Sequence, residues 1–308
     1  MNPYYTVTDT REDLAVLPVI IPEGYIADLI FPPVSSFEKA GSVAYATINS
    51  DVAAQTGRSA GVAPTKTQVA NSATTFACAE VISRYSITPD EAKQMGSIAN
   101  ADEVGAREAK RSVHLKIESD VSAAVLGGTA DYNFDPAKIH TQIQDAINAV
   151  EKYPGATSLI TSTKTAKAMI QGLLSDSTQG KVLARIVSGI SPTVAMTGLN
   201  FKAWVDAMAM YLGLDRVLLG GDVVWNAGAN KAKFAVGKLD DSSDPLSHKF
   251  RAVLGKRFQF LRDGTNPFYL ESIGDPITKN NHYDASVWYQ IKVLNAGAVK
   301  LFDGVQDA

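Results

Sequence analysis

The chain has 308 residues, of which 45% are hydrophobic and 20% are charged. This balance is typical of a folded globular protein and argues against a disordered one. The formal net charge of -3 at pH 7 excludes a global positive field that would hold nucleic acid by counterion release.

Cys78 is the single cysteine, so the chain can form no internal disulfide and no metal site from several thiolates. Synthesis in a reducing, intracellular compartment fits this use of cysteine. The N-terminal residues lack the basic stretch and apolar run of a secretory signal, and no segment reaches the roughly 20 apolar residues of a membrane span. We therefore expect a protein that is made in the cytoplasm and has no membrane anchor.

Residues 1–40 contain five prolines, which exclude a long helix and predict an extended arm. Apolar stretches such as LAVLPVII and YIADLIF are frequent in this segment. An extended segment with that much apolar surface needs another surface to lie on. Its own domain is one candidate, and an adjacent copy of the chain is the other.

Two stretches after the arm, residues 42–48 (SVAYATI) and 74–87 (TTFACAEVISRYSI), are rich in β-branched and aromatic residues and predict strands. The roughly 25 residues between them are small and polar, far more than a common hairpin connection uses. We interpret this region as a long two-stranded excursion that reaches away from its own domain.

A helix start follows at Thr88, which precedes Pro89, Asp90 and Glu91. The order of an N-cap residue, a proline at the first helical position and acids in the first turn is typical of a helix N-terminus. The pattern predicts a helix that ends near Gly96.

A longer helix is predicted over residues 101–126, about 39 Å at a rise of 1.5 Å per residue, with a glycine pair closing it. Its apolar stripe consists of Ala106, Ala109, Val113, Ile117, Val121 and Ala124. Its polar side consists of Glu103, Arg107, Lys110, Arg111, Glu118 and Asp120. We expect His114 and Glu118 to form a surface pair, because they are four residues apart.

The middle of the chain alternates helices and strands, which is typical of α/β layers. Helices are predicted at 135–153, 163–174 and 202–214, and a buried strand at 157–162. The rest of the chain is rich in predicted strands, at 217–220, 232–237 and 249–263. Residues 286–305 predict a final pair of strands that form a hairpin around Asn295–Gly297.

No motif of catalysis or of cofactor binding is present in the sequence. The four histidines are scattered, and the sequence has no nucleophile elbow, P-loop or dinucleotide fingerprint. The glycines of 213–222 predict a turn, because no Lys-Ser/Thr pair follows them. The acidic group Asp240, Asp241 and Asp244 does not have the spacing of an EF-hand loop and predicts a solvated turn. We therefore expect no catalytic residue, no cofactor and no metal site.

The order of these elements resembles the major capsid proteins of tailed bacteriophages, which have the Hong Kong 97-type fold shared with encapsulin shells. The passage YIADLIFPPVSSFEKAGSVAYATINSD is similar to the family's arm-to-loop passage, and RSAGVAP is similar to its loop tip. SRYSITPDEAKQMG and the long helix after it are similar to its passage into the spine helix. The C-terminal SIGDPITKNNHYDASVWYQIKVLNAGAVKLFDGV is similar to its closing strands.

This resemblance implies an α+β fold with four parts. They are an N-terminal arm at 1–40, an extended two-stranded loop at 41–86, a peripheral domain with a long spine helix at 87–129 and 246–308, and an axial domain at 130–245. It implies contacts between subunits at Ile30, Phe31, Pro32, Arg58, Pro64, Lys66, Arg107 and Arg111.

The function implied by the resemblance is self-assembly, without catalysis, into an icosahedral head that encloses double-stranded DNA. The implied partners are other copies of the chain, in pentamers and hexamers, with scaffolding, portal and decoration proteins. Packaged DNA would meet the inner face without sequence-specific contact. The protein would be located in the virion after synthesis in the host cytoplasm.

Three alternatives remain open at this point. Some members of the family join subunits covalently, and Lys66 with Asn280 or Asn281 would be the pair here, although a free surface lysine is the simpler interpretation. An encapsulin-like compartment shell would share the fold. A soluble α/β enzyme would use the 130–245 region as a catalytic domain and would show a deep polar pocket.

Overall fold

A computed structural model describes the chain at residues 7–10, 24–48, 71–96, 98–175, 179–186, 199–262, 266–275, 277 and 279–305. Across these residues, no helix combines the length and the apolar character that a membrane span needs. The predictions for the loop tip, including Arg58, Pro64 and Lys66, lie outside the described residues.

The described residues form strands and helices with the following bounds. The strands are β1 Val7–Thr10, β2 Pro33–Ser36, β3 Ala40–Ala46, β4 Asn71–Ala77, β5 Ala79–Ile87, β6 Tyr132–Asn133, β7 Ala156–Ser162, β8 Arg216–Gly220, β9 Phe234–Leu239, β10 Gly255–Phe260, β11 Tyr269–Gly274, β12 Asn281–Val293 and β13 Val299–Asp303. The helices are α1 Ala27–Ile30, α2 Pro89–Gln94, α3 Ile98–Leu126, α4 Ile139–Val150, α5 Thr163–Ser175, α6 Gln179–Ile186, α7 Leu199–Leu212 and α8 Asp222–Trp225.

The first sheet is built around the thirteen-residue strand β12. Strand β5 pairs with one side of β12, while β10 and β11 pair with successive halves of the other side, all antiparallel. The sheet is completed by β1 on β11 and by β2, which runs parallel to β10. The described parts of the predicted arm therefore lie on their own chain.

Helix α3 packs across one face of this sheet and is the long helix that the sequence predicts. Its stripe is buried as expected from Ala106 to Val121, but Ala124 is exposed and Val125 is buried in its place. Gly105 allows the close approach to β12, because a Cβ there would lie 2.2 Å from the ring of Tyr283. Two tyrosines of β12 also donate hydrogen bonds to α3, and one of them, Tyr289, reaches Asp120 at 2.6 Å.

Two residues of the predicted polar side of α3 are buried, which corrects the sequence expectation. Lys110 is 1% exposed and Glu118 is 3% exposed. Burial lowers the pKa of Lys110 to about 8. His114 forms no surface pair with Glu118, because its ring lies between those of Tyr25 and Phe268, at 5.1 and 5.0 Å.

The second sheet has the strand order β6-β13-β9-β7-β8. Strand β7 runs parallel to β8 and antiparallel to β9, and helices α4, α5 and α7 pack their apolar sides into one core with the sheet. The predicted strand at 157–162 and the helix after it are confirmed. The helix predicted from residue 135 begins later, at Ile139, because Asp135 accepts a hydrogen bond from Ala137 N in a turn.

The C-terminal hairpin that the sequence predicts is wrong. Strand β12 belongs to the first sheet and β13 to the second, and a short 3-10 turn at Ala296–Ala298 carries the chain between them. The Asn295 amide donates to the carbonyls of Val253 at 2.8 Å and Ala46 at 3.2 Å, which fixes a corner instead of a hairpin turn.

Strands β3 and β4 form a separate two-stranded ribbon with seven residue pairs. The predicted strand 74–87 is divided at Cys78, whose N–H donates to Lys39 O at 2.7 Å. The division lets β4 pair within the ribbon while β5 pairs with β12.

Candidate intersubunit surfaces

The root of the arm, residues 24–32, is held inside the chain by burial of its apolar side chains. Ile30 and Phe31 are 1% and 0% exposed in the core beneath α3, and Pro32 is half-buried. Gly24 begins the described segment with a φ of +76°, a left-handed conformation that suits glycine, and its carbonyl accepts from Gly221 N at 3.2 Å.

A buried carboxylate holds the same root. Glu118 accepts hydrogen bonds from the backbone of Ile26, at 3.1 Å, and Ala27, at 2.9 Å, and from Nε1 of Trp225 on α8. Burial raises the pKa of Glu118, and these hydrogen bonds partly oppose that shift. One side chain of α3 therefore joins the arm to the helix that follows β8 of the second sheet.

A second polar contact fixes the outer side of the root. Arg257 of β10 donates to Asp28 Oδ1 at 2.6 Å and to the Tyr25 hydroxyl at 3.2 Å, and that hydroxyl donates to Asp28 at 2.9 Å. The pKa of Tyr25 is raised, mainly by burial. The arm thus leaves the core in one orientation.

The two arginines predicted as contacts on α3 form ion pairs along the helix. Arg107 pairs with Glu103, and Arg111 pairs with Glu108 at 3.4 Å. Arg111 is exposed and Arg107 is half-buried. Exposed pairs add little stability, so the Arg111 guanidinium can exchange its partner at low cost.

The ribbon of β3 and β4 is held to its own chain at its root, around Phe76, and at Ala46, which is buried and accepts a hydrogen bond from Asn295 at 3.2 Å. Phe76 stacks on Phe258 with ring centroids 4.8 Å apart, and Ala77 N donates to Gln290 Oε1 at 2.8 Å. Val34 and Val43 complete this small apolar cluster. The other described residues of the ribbon are mostly exposed or half-buried.

Comparison with solved structures identifies the architecture. No protein-family model and no characterised protein sequence matches the chain. The structure is similar to a phage-related protein from Bordetella bronchiseptica, with a TM-score of 0.64, 12% identity and coverage of 98% of both chains. It is also similar to the capsid of the cyanophage P-SCSP1u, with a TM-score of 0.55, 11% identity and coverage of 94% and 90%. A virus-like particle from Pyrococcus furiosus matches with a TM-score of 0.50, 11% identity and coverage of 89% and 90%.

The chain has a viral capsid fold. This is the mixed α+β, Hong Kong 97-type architecture that the sequence predicts, so the fold class is confirmed.

Within the capsid fold, the structure does not gather the predicted contact residues into one site. Ile30 and Phe31 are enclosed by their own chain, so their side chains offer no surface to a neighbour. Pro32, Arg107 and Arg111 keep accessible surface and stay candidates.

Sequence reasoning also missed a buried ion pair in the capsid fold. Lys256 and Asp240, with side chains 0% and 2% exposed, meet at 2.8 Å between β10 and the end of β9. The predicted solvated turn at Asp240 is therefore wrong. Asp241 lies on the surface and pairs with Arg251 at 3.0 Å. The one available signal was that Leu254 and Phe258 lie two residues on either side of Lys256, since alternate residues of a strand share a face.

A cavity of about 230 Å³ lies where α3 ends and the chain crosses between the sheets. Its lining is mainly apolar, with Phe31, Val125 and Leu254 among the contributors. Its carboxylate, Asp131, is engaged by Lys300 and by Leu301 N, both at 2.9 Å. Among the described residues, no group of three or more His, Cys, Asp or Glu side chains could hold a metal ion.

Proposed function

We propose that the chain is the major capsid protein of a tailed bacteriophage, and that it assembles with copies of itself into an icosahedral shell around double-stranded DNA. The proposal rests on the capsid fold over nearly the whole chain and on one structural observation, the two-stranded ribbon of β3 and β4, whose strand β4 is largely exposed. It assigns the chain no catalytic role.

The ribbon carries the argument because an isolated two-stranded pair is only marginally stable in water. Strand β3 buries Val43 and Ala46 against its own chain, but the described side chains of β4 are exposed apart from those of Thr74 and Phe76. A neighbouring copy that covers it would supply the missing burial, as strand-like elements do when they lie on another sheet. Each such contact can be weak, because closed symmetry repeats it many times.

We further propose the division into an arm at 1–40, a loop at 41–86, a peripheral domain at 87–129 and 246–308, and an axial domain at 130–245. In this scheme β13 crosses from the peripheral segment to complete the sheet of the axial domain. Pro32, Arg107 and Arg111 are proposed contacts of the described surface, and Arg58, Pro64 and Lys66 are proposed contacts of the loop. Scaffolding, portal and decoration proteins are proposed partners, and packaged DNA would face the interior.

The test is to express the chain alone and with its neighbouring phage proteins, and to follow assembly by sedimentation and negative-stain electron microscopy. Closed shells, or sheets and tubes of hexamers, would support the proposal. A small oligomer in every condition would contradict it. Nucleic acid in purified particles separates a phage head from an encapsulin-like compartment.

A matched variant tests the role of the loop. Shortening residues 52–72 is expected to leave the far-ultraviolet circular dichroism spectrum of the unassembled chain unchanged while abolishing particles. A shorter deletion in the axial domain, confined to residues 187–198 between α6 and α7, provides the comparison. Normal particles from the loop variant would contradict the assigned contact.

A further inference from the structure

Strand β5 has one side without a pairing partner among the described residues. It pairs with β12 over nine residues, and its opposite side is an edge of the first sheet. Such an edge presents a row of backbone N–H and C=O groups that favours pairing with another strand. Nine residues is long for an unprotected edge, and no proline lies within the strand.

One face of β5 packs toward the core and the other is exposed, so the side chains on the exposed face can select which strand pairs with this edge. Val81, Tyr85 and Ile87 pack toward the core under α3. Glu80, Ile82, Arg84 and Ser86 lie on the other face and are exposed, and Ile82 is 59% exposed. An exposed isoleucine with an acid two residues before it and a base two residues after it forms a self-complementary pattern.

Arg84 is already oriented for a cross-strand contact. Its Nε and Nη2 donate to the carboxylate of Asp284 at 2.7 and 2.6 Å, yet 54% of the side chain stays exposed. A guanidinium that is fixed by one carboxylate loses little further conformational entropy when a second carboxylate binds its remaining donors.

We propose that β5 pairs antiparallel with β5 of a second copy across a two-fold axis, with Ile82 at the axis. This inference rests on the proposed shell function and names one of its contacts. A two-fold axis perpendicular to the sheet keeps the faces aligned, so the paired strands would extend one continuous sheet from copy to copy.

The charges select the register among the possible ones. With Ile82 at the axis, Glu80 of each copy lies opposite Arg84 of the other, and the two isoleucines cover each other. An axis at Glu80 or at Arg84 would place like charges opposite each other. An axis at Ser83 would place Arg84 opposite Ile82, and so would lose both charge pairs.

Disulfide trapping tests the register directly. In a Cys78→Ser background, Ile82→Cys places two thiols opposite each other in the assembled particle, within the range that a disulfide bridges. We expect most of the chain to run as a dimer on non-reducing denaturing gels after mild oxidation of particles. The matched control, Ser86→Cys on the same face, puts the two cysteines about 27 Å apart at 3.4 Å per residue and should give no dimer.

A charge variant tests the contact without cysteine chemistry. Glu80→Arg places arginines opposite each other twice per contact and should lower particle yield about tenfold or more, while Glu80→Gln should lower it much less. Circular dichroism and sedimentation of the unassembled variants verify that the monomer folds. Hydrogen exchange of β5 amides should slow on assembly of the unmodified chain.

The outcomes separate this contact from the shell function. Particles of the Ile82→Cys variant without a disulfide dimer, together with a normal yield for Glu80→Arg, would overturn the β5 contact and leave the shell function standing. Failure of the Cys78→Ser parent and of the unmodified chain to form any particle would overturn both.

Discussion

Replacement of Glu118 by alanine is expected to be the most damaging single change at the root of the arm. The substitution leaves the backbone N–H groups of Ile26 and Ala27 and the indole N–H of Trp225 buried without their acceptor. Each buried donor without a partner costs about 1–3 kcal/mol, and removal of a buried carboxylate offsets part of that cost. We expect a net loss of about 3–5 kcal/mol in the free energy of unfolding.

The assay is urea denaturation of the unassembled chain, followed by tryptophan fluorescence and circular dichroism. Glu118→Gln keeps the size and one acceptor oxygen but turns an amide N–H₂ toward a donor, so a smaller loss of about 1–3 kcal/mol is expected. Trp225→Phe removes one donor only, and its cost should combine non-additively with that of Glu118→Gln because the two groups are in direct contact. A Glu118→Ala variant within about 0.5 kcal/mol of the parent would refute the reasoning, since the three donors would then be satisfied without the carboxylate.

Two further predictions concern buried titratable groups. Burial between Tyr25 and Phe268 lowers the pKa of His114 to about 4, so stability should fall as pH falls from 6.5 toward 4, and His114→Phe should flatten that part of a pH–stability curve. An unchanged slope in the variant would contradict this assignment. Lys256→Met should cost about 3 kcal/mol in chemical denaturation, because it removes the buried cation of Asp240 and leaves it Arg251 at 3.6 Å, and the double variant with Asp240→Asn should recover most of that loss. A double variant as unstable as the single one would argue against the ion pair as the cause.

The sequence predicted those features that depend on neighbours along the chain. The capped helix at Thr88 forms as expected, with its side chain accepting from Glu91 N in a capping box. The stripe on α3 predicted the long helix because three- and four-residue spacing alone defines an apolar face. The strands at 42–48 and 157–162 were predictable from β-branched and aromatic composition in the same way.

The features that sequence reasoning missed depend on partners far away in the chain. Glu118 is buried because its donors come from Ile26, 92 positions away, and Trp225, 107 positions away. The hairpin expected around Asn295 fails for the same reason, since carbonyls at Val253 and Ala46 decide the path of the corner. Local spacing carries no information about such partners.

The buried contacts also indicate which parts of the chain can adjust when copies meet. One core cluster contains Ile160 and Ala235 of the second sheet together with Ala285 and Val287 of the first, so the sheets share their packing. The Glu118 contacts and the crossing from β12 to β13 add polar and covalent links between them. Relative motion of the sheets would therefore separate buried apolar contacts and buried hydrogen bonds at several places at once. The ribbon depends on fewer contacts, the cluster around Phe76 and the burial of Ala46, and the edge of β5 needs no rearrangement to receive a strand. In the proposed shell, differences between positions should therefore be absorbed at the ribbon and at strand edges, while the two sheets keep one arrangement.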